Sequence, residues 1–424
     1  NAIAAYETSN PKGLDAFTKR YLRLLSCRLL DGQNGDGERP MGLALTTLKE
    51  ISYRDIEEVK LDFEKLMGTY NLSTRIPELN FYVDETIQVS TLATTPFTKR
   101  VKLVVEDPTV KRLADVTQLG LLNLVYPSAV HTRLEHSLGT FSVLCRIILA
   151  LYNDALNPLF MQIMNEDDLK AVLLAALLHD LGQYPLAHDL EEADPYLSHE
   201  QIGRTKLKDP KGPLAVLVKT HWGLSIDRVI GVLEADCATC SGMLKERILS
   251  SLISGPIDAD KLDYLMRDCL HTGLKYASAI DFERLLRCLT IVFREDGDQT
   301  YASLGIHEKG KIPAEGIAFA RYAMFGQVYW HHSYRAIKSM LHRMVWEAYA
   351  QRDDKGIASY RQELRALATE GGPKQAELPI SEGGRLSAEG QIHQSDLRIL
   401  EYLADNAGPH GRELFLLLTK RRLF

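Results

Sequence analysis

Apolar residues recur three and four positions apart along much of this chain, and that spacing is typical of amphipathic helices. We therefore predict helices over residues 52–67, 133–152, 167–181, 256–269 and 316–351. Strand signals are fewer: residues 80–92 and 100–105 alternate in polarity or are rich in β-branched side chains. Residues 289–293 and 300–304 flank an acidic, glycine-containing turn and predict a β-hairpin. The pattern predicts a mainly α fold with small β-hairpin additions.

A stretch rich in glycine and proline, residues 370–391, interrupts the helical pattern towards the carboxyl end. This composition is typical of an exposed connection between helices, so we predict a flexible loop here. The chain shows no repeat of fixed period and no low-complexity tract.

The chain has 424 residues, of which 45% are hydrophobic and 25% charged, enough for a large buried core. Its formal net charge of −6 argues against a protein whose main task is to coat nucleic acid or an anionic membrane. The longest apolar run, residues 171–178, is shorter than the roughly 18–20 residues that a bilayer requires. We therefore predict no transmembrane segment.

Six cysteines are scattered along the chain, a density typical of a reducing compartment rather than of a disulfide scaffold. Residues 1–13 lack the charged start and apolar stretch of a secretory signal, so we expect a cytoplasmic protein. Cys237 and Cys240 form a Cys-x-x-Cys pair, but structural zinc takes four ligands and no second pair follows at finger spacing. The pair therefore gives little support for a zinc knuckle.

The first candidate for chemistry is His179-Asp180, because it directly follows an apolar stretch that belongs to a buried helix. A buried imidazole beside a carboxylate needs a partner, and a metal ion would be one. The alternative is a neutral His179 bonded to a neighbouring carboxylate while Gly182 ends the helix.

The second candidate is the segment from His131 to Gly139, which leads into a long apolar helix. Arg133 and His136 are three positions apart and share one helix face, so a cation-binding imidazole and an anion-binding guanidinium could serve one ligand. The alternative is an exposed helix start in which Glu135 pairs with Arg133.

The third candidate is residues 255–269, where an apolar stripe at helical spacing leaves polar residues on another face. Asp260, Tyr264 and Asp268 lie one turn apart on that face, with Lys261 beside them. The alternative is a solvated acidic face.

Two histidines and two aspartates together suit Mn, Fe, Co, Ni or Zn better than calcium, which prefers oxygen ligands alone. Such a site leaves coordination positions open for water and substrate. Nearby lysine, arginine and histidine would suit a phosphorylated substrate, because phosphoryl chemistry depends on positioning and charge neutralisation.

The three segments, in this order, resemble the HD-domain phosphohydrolases. Within that group they resemble the deoxynucleoside triphosphate triphosphohydrolase branch, which includes the bacterial dGTPases and the mammalian sterile-alpha-motif HD-domain dNTPase. The matching motifs are Gln118-Leu119-Gly120 and residues 131–139, 178–182, 185–188, 198–200 and 257–268. The resemblance implies a helical catalytic core over residues 96–345. It leaves residues 1–95 as an amino-terminal region of unknown role and 346–424 as a carboxy-terminal helical region.

The resemblance also implies roles for individual residues. The implied metal ligands are His136, His179, Asp180 and Asp260, for a divalent ion such as Mn, Mg, Fe, Co, Ni or Zn. The implied substrate-binding residues are Arg133 and Lys261 on the triphosphate, Gln118 and Leu119 against the sugar, and Tyr264 and Asp268 at its 3′-hydroxyl side. The implied catalytic residues are His188 and His199, beside the scissile phosphate.

One position departs from the family pattern: Gln183 stands where the family usually has histidine. Glutamine can bond a phosphate oxygen but cannot transfer a proton, so the role of acid would pass to His188 or His199.

The function that the resemblance implies is metal-dependent hydrolysis of a dNTP to a deoxynucleoside and inorganic triphosphate. One alternative is an HD phosphodiesterase or nuclease acting on cyclic nucleotides, guanosine tetraphosphate or single-stranded DNA. Another is a catalytically silent module that binds a nucleotide and reports it to a partner. The resemblance also implies a homo-oligomer and a nucleotide effector, whereas the composition favours neither a membrane nor nucleic acid as partner.

Overall fold

The computed structural model describes residues 71–80, 98–154, 156–209, 211–235, 244–278, 280–296, 299–370 and 392–422. Several predictions lie outside these ranges: the helix over 52–67, the pair Cys237 and Cys240, and nearly all of the strand over 80–92 and of the loop over 370–391. The same holds for most of the proposed amino-terminal region.

The described part of the chain is mainly helical, as predicted. In chain order its α-helices are α1 Leu72–Arg75, α2 Lys99–Glu106, α3 Pro108–Lys111, α4 Arg133–Tyr152, α5 Leu159–Ile163, α6 Glu166–Leu178, α7 Ala187–Ala193, α8 His199–Leu207, α9 Pro213–Leu217, α10 Ile226–Glu234, α11 Leu244–Ser251, α12 Ala259–Thr272, α13 Phe282–Arg287, α14 Lys311–Met324, α15 His332–Ala350, α16 Asp354–Glu370, α17 Gln394–Asn406 and α18 Gly408–Thr419. Strands β1 Leu289–Asp296 and β2 Gln299–Ile306 form the predicted antiparallel hairpin, with Leu289 opposite Ile306.

The predicted strand over residues 100–105 is wrong, because this segment is helix α2. Its β-branched residues suggested a strand, but Val101, Val104 and Val105 are all buried on one face at helical spacing. Thr98 caps the helix by accepting a hydrogen bond from the backbone N–H of Val101.

The predicted helix over residues 316–351 is two helices, α14 and α15, separated by a π-helical turn over Phe325–Tyr329. The apolar spacing continues through this turn, so the pattern alone does not reveal the break. Helix α15 starts afresh, since the His331 side chain accepts a hydrogen bond from the backbone N–H of Ser333.

Helix α4 lies at the centre of the fold, and α6 and α12 pack against it. By length and composition α4 could cross a membrane, although its apolar residues do not form one uninterrupted run. Of its most apolar stretch, 72% is buried. A core helix has the same character. In α6, residues 171–178 are buried on every side, as the uninterrupted apolar run predicts.

Two glycines allow the close approach of helices around the ends of α4 and α6. A Cβ on Gly139 of α4 would lie 2.0 Å from Asp263 Oδ1 and 2.1 Å from Arg267 Nη2 of α12. A Cβ on Gly182, just after α6, would lie 1.8 Å from the backbone oxygen of His199 at the start of α8. These glycines therefore let α4 approach α12 and let the end of α6 approach α8.

We predict that Gly139→Ala lowers the free energy of unfolding by roughly 1–3 kcal/mol, the usual cost of overpacking a tight interior. Chemical denaturation of both proteins measures the difference. Gly326→Ala is the matched control, because a Cβ at Gly326 meets no atom within 4 Å. Equal effects of the two substitutions would contradict the close crossing of α4 and α12.

Candidate metal centre

The four predicted metal ligands lie at the ends of three helices. His136 is in the first turn of α4, which Thr132 caps through the backbone N–H of Glu135. His179 and Asp180 directly follow α6. Asp260 is in the first turn of α12, where the Asp258 side chain accepts a hydrogen bond from the backbone N–H of Lys261. Helix ends therefore bring together residues that are far apart in sequence.

The ligand atoms of these four side chains converge. His136 Nε2 lies 2.9 Å from Asp260 Oδ1 and 4.0 Å from Asp180 Oδ2. His179 Nε2 lies 3.6 Å from Asp180 Oδ1 and 3.7 Å from Asp260 Oδ1. The structure thus places two imidazole nitrogens and two carboxylates around one point.

The orientation of both imidazoles fits a divalent cation. His179 donates from Nδ1 to the backbone oxygen of Ala176 at 2.9 Å, so Nε2 carries the free lone pair, and this buried atom has no hydrogen-bond partner. His136 uses Nδ1 to bond Asp263 Oδ2 at 2.8 Å and likewise turns Nε2 inward. Outer hydrogen bonds of this kind are what orient histidine ligands in metal sites.

Electrostatics at the centre couple the histidines to the carboxylates. Burial lowers the pKa of His136, but its hydrogen bonds to Asp260 and Asp263 outweigh burial and raise the pKa to about 10. For Asp180 and Asp260, burial acts to raise the pKa, but the neighbouring histidines outweigh it and hold both values well below the usual range. Without a metal ion, the proton on His136 therefore compensates part of the negative charge of these carboxylates. A bound divalent ion would take over this role.

The buried residues that hold His136 are not among the site residues predicted from the sequence. Arg267 is fully buried and donates from Nε and Nη2 to both oxygens of Asp263, at 2.9 and 2.7 Å. It also donates to Glu135 at 2.8 Å. Asp263 and Arg267 are four positions apart, the spacing of a helical ion pair, but burial of that pair is not visible in the sequence.

Arg133 lies against the centre rather than on an exposed helix start. Its Nη1 donates to Asp180 Oδ2 at 2.9 Å, and both side chains are largely buried. The alternative in which Glu135 pairs with Arg133 does not hold, because Glu135 accepts from Arg267 instead. The guanidinium therefore brings a positive charge next to a candidate metal ligand.

The two histidines predicted as catalytic form a second polar cluster. The rings of His188 in α7 and His199 in α8 are 5.1 Å apart, edge to face. Glu191, which sequence reasoning did not identify, accepts from His199 Nδ1 at 2.5 Å. Gln183 lies beside them, with its Nε2 3.4 Å from His188 Nε2. Gln183, the residue that departs from the family pattern, therefore lies next to His188, a predicted catalytic histidine.

The surroundings of His188 disfavour its charged form. Desolvation in the cleft, the Arg133 guanidinium and His199 lower the pKa of His188 to about 4, although 58% of its side chain is accessible to solvent. His188, Glu191 and His199 also have ligand atoms within 4.8 Å of one another, the spacing of a possible second metal site. Arg133 lies on the same side of this cluster and disfavours added positive charge at His188, whereas Asp180 and Glu191 act in the opposite direction.

Gln118 and Leu119 lie beside the segment that carries Arg133. Thr117 forms an isolated β-bridge with Thr132, and the backbone N–H of Gln118 donates to the oxygen of His131 at 2.9 Å. Gln118 Oε1 is buried without a hydrogen-bond partner. A polar atom held in this way is available to a ligand.

The remaining predicted substrate residues have protein partners in this structure. Lys261 Nζ bonds Asp258 Oδ2 at 2.7 Å, so its charge is used within its own helix turn. Both oxygens of Asp268 are occupied, one by His131 Nε2 at 2.8 Å and the other by the Tyr329 hydroxyl at 2.6 Å. Tyr264 packs edge to face against Tyr329, with ring centres 6.4 Å apart. The geometry therefore gives Asp268 a structural task in addition to its predicted role.

A cavity of about 500 Å³ lies elsewhere, at the opposite end of α6 from His179, and is lined by Asn165, Asp168, Arg228 and Lys245 among others. Asp168 already pairs with Arg228 at 2.5 Å and with Lys245 at 3.3 Å. Despite its size, this cavity is a weaker candidate for the functional site, because Asp168, Arg228 and Lys245 already form ion pairs with one another.

A family model described as HD domain matches residues 133–263, a range that contains all four candidate metal ligands. Residues 133–263 form an HD domain. The chain is also similar to the uncharacterized protein MJ1154 of Methanocaldococcus jannaschii, with 34% identity over 245 residues, which are 57% of this chain and 45% of that protein. The sequence-based assignment to HD-domain proteins is therefore confirmed at the level of the domain.

Two further likenesses concern named hydrolases. The deoxynucleoside triphosphate triphosphohydrolase SAMHD1 of Danio rerio is 29% identical over 212 residues, which are 43% of this chain and 32% of that protein. A solved phosphohydrolase structure from Bacteroides thetaiotaomicron has a TM-score of 0.56 and 23% identity, covering 80% of this chain and 78% of that one, and shows the shared fold. The chain thus spans less than half of the length of either sequence relative.

We predict that metal binding to this centre releases a proton and tightens as the pH rises. With a pKa of about 10, His136 is protonated between pH 6.5 and 8.5 in the absence of metal, and a ligating imidazole must be neutral. Each displaced proton makes the affinity rise about tenfold per pH unit. Titration calorimetry with Mn²⁺ at both pH values, in buffers of different ionisation enthalpy, measures the affinity and the released protons. An affinity independent of pH would show that His136 is already neutral.

Proposed function

We propose that this chain is a metal-dependent phosphohydrolase that cleaves dNTPs to a deoxynucleoside and inorganic triphosphate. The observation that carries the proposal is the convergence of His136, His179, Asp180 and Asp260 within an HD domain, with Arg133 against them. The similarity to a protein named as a dNTP triphosphohydrolase supports this choice of substrate.

The four side chains would hold a divalent ion, which would supply Lewis acidity for activating water and would neutralise phosphate charge. Arg133 is placed to bind phosphate oxygens while it also restrains Asp180. Gln118 and Leu119, adjacent to the Arg133 segment through the backbone bridge, contact the sugar side of the substrate. Positioning and charge neutralisation are the main contributions that phosphoryl transfer needs from a protein.

In the reaction, the oxygen of a water molecule bonds to the α-phosphorus and the bond from this phosphorus to the 5′-oxygen breaks. The departing 5′-oxygen needs a proton. His188 supplies it once a bound phosphate raises the pKa of the imidazole from its low value, and Glu191 fixes the orientation of His199 beside it. The attacking water releases one proton to solvent as its oxygen bonds to phosphorus, and His188 takes up one proton from solvent in place of the proton that it gave to the 5′-oxygen.

The metal centre alone does not select the leaving group, so a phosphodiesterase or nuclease of the same superfamily is the alternative enzyme. The net charge of −6 weighs mildly against a nuclease. We further propose a cytoplasmic homo-oligomer that responds to a nucleotide effector, in line with the resemblance.

The product assay tests the proposed reaction. Metal-stripped protein is incubated with each dNTP and with GTP, with and without Mn²⁺, Mg²⁺ or Co²⁺, and the products are separated by chromatography. We expect deoxynucleoside and intact triphosphate only when metal is present. Asp260→Ala should abolish both metal binding and turnover, because it removes a ligand that contacts both histidines, whereas the surface control His410→Ala should retain them.

Two outcomes of this assay would contradict the proposal. Nucleoside mono- or diphosphates as products would place the cleavage at another phosphorus. Turnover by a folded Asp260→Ala variant would remove the assigned centre from the reaction.

A silent nucleotide-binding module is the second candidate function, and Gln183 is the observation that favours it. Its Oε1 is buried without a hydrogen-bond partner and its Nε2 lies beside His188. If the protein is a slow enzyme, Gln183→His should raise kcat, by up to roughly 10²-fold, because it restores a proton-transferring group. Gln183→Leu is the control that removes the amide without adding such a group. Stoichiometric dNTP binding with no product from any variant would favour the silent module.

A further inference from the structure

A carboxylate from the carboxy-terminal region reaches the segment that we place against the substrate. Asp396, in the first turn of α17, is fully buried, and its Oδ2 accepts a hydrogen bond from Thr117 Oγ1 at 2.8 Å. The two residues are 279 positions apart in sequence. The second oxygen of Asp396, Oδ1, is buried without a hydrogen-bond partner, so Thr117 is the hydrogen-bond donor to this carboxyl group among the described side chains.

Thr117 lies where the two chain segments that carry Gln118 and Arg133 pair with each other. It pairs with Thr132 in an isolated bridge, and the residues that follow the two partners are Gln118 and Arg133. The bridge is supported by two backbone hydrogen bonds, from Gln118 to His131 at 2.9 Å and from Arg133 to Val116 at 2.8 Å. Because no longer ladder fixes this pairing, the side-chain bond from Thr117 is an important third restraint.

The carboxy-terminal helices also contact the far end of the same segment. Arg421, just after α18, donates to the backbone oxygen of Leu124, the last residue of the 3₁₀ turn Gly120–Leu124. Residues 117–124 are therefore held from both ends by the part of the chain after residue 392.

Burial favours the neutral form of the Asp396 carboxyl group. Burial raises the pKa of Asp396 to about 7, and the nearby Asp189 acts in the same direction. Asp189 itself is held by the Tyr334 hydroxyl at 2.8 and 2.9 Å and by Lys338 Nζ at 3.3 Å. An asparagine at position 396 would therefore reproduce the shape and the hydrogen bond of the native group.

We infer that Asp396 is a positioning residue for substrate binding, acting through Thr117 on Gln118, Leu119 and Arg133. This inference rests on the proposed function, since it takes those residues as substrate contacts. The two histidine ligands of the metal are held by other restraints, namely Asp263 on His136 and the Ala176 oxygen on His179. Loss of the Asp396–Thr117 bond should therefore weaken substrate binding and leave metal binding intact.

The test compares paired substitutions at both ends of the bond. Thr117→Val and Asp396→Leu remove the hydrogen bond, whereas Thr117→Ser and Asp396→Asn retain it. We expect the first pair to raise KM for a dNTP about tenfold, with kcat and Mn²⁺ affinity within about twofold of the original protein. The second pair should restore KM.

Tyr402→Phe is the matched control for a general loss of stability in α17. Tyr402 lies on the same helix as Asp396, but its hydroxyl donates to Glu363 Oε2 at 2.9 Å and not to Thr117. It should leave KM unchanged even if it lowers the melting temperature. An unchanged KM in Thr117→Val, or an equal rise in Tyr402→Phe, would overturn the inference while the proposed function stands.

Failure of the proposed function has a different signature. If the protein binds dNTPs without hydrolysing them, the dissociation constant replaces KM, and the same tenfold shift between Thr117→Val and Thr117→Ser tests the positioning role alone. A protein that neither binds nor hydrolyses any dNTP contradicts both.

Discussion

The clamping of His136 between two aspartates of one helix is the interaction on which the rest of the site depends. Asp260 and Asp263 contact opposite nitrogens of this imidazole, at 2.9 and 2.8 Å. This is possible only because α4 and α12 cross closely enough for the Asp263–Arg267 pair to lie where a Cβ on Gly139 would otherwise be. Arg267 donates hydrogen bonds to Asp263 and to Glu135, so these buried charges are paired. The imidazole of His136 is therefore held in one orientation.

The cleft beside this centre is organised by charge. Carboxylates dominate the side where His136 and His179 lie, and they attract a cation. On the other side, desolvation and the neighbouring Arg133 and His199 lower the pKa of His188 to about 4. Arg133 belongs to both sides, because it bonds Asp180 and acts on His188. This juxtaposition of a cation site and an anion site is the arrangement that a metal-dependent reaction on a phosphate requires.

The sequence predicts the parts of the site that depend on helical spacing and fails where burial or long-range contact decides. Helix α4 follows from its apolar spacing, whereas the grouping of His136, Asp180 and Asp260 is what the resemblance to HD-domain phosphohydrolases implies. The role of Arg267 does not follow, because an ion pair four positions apart is normally exposed. The strand predicted over 100–105 is helical, since β-branched residues pack equally well on the buried face of α2. The contact of Asp396 with Thr117 has no local signal, because 279 positions separate the two residues.

The most direct test of the account is to locate the bound metal. Crystals of the full chain soaked in Mn²⁺ and measured near the manganese absorption edge would show its position in an anomalous difference map. The account predicts a peak within coordination distance of His136 Nε2, His179 Nε2 and carboxylate oxygens of Asp180 and Asp260. A peak instead among His188, Glu191 and His199, with none at the first position, would contradict it.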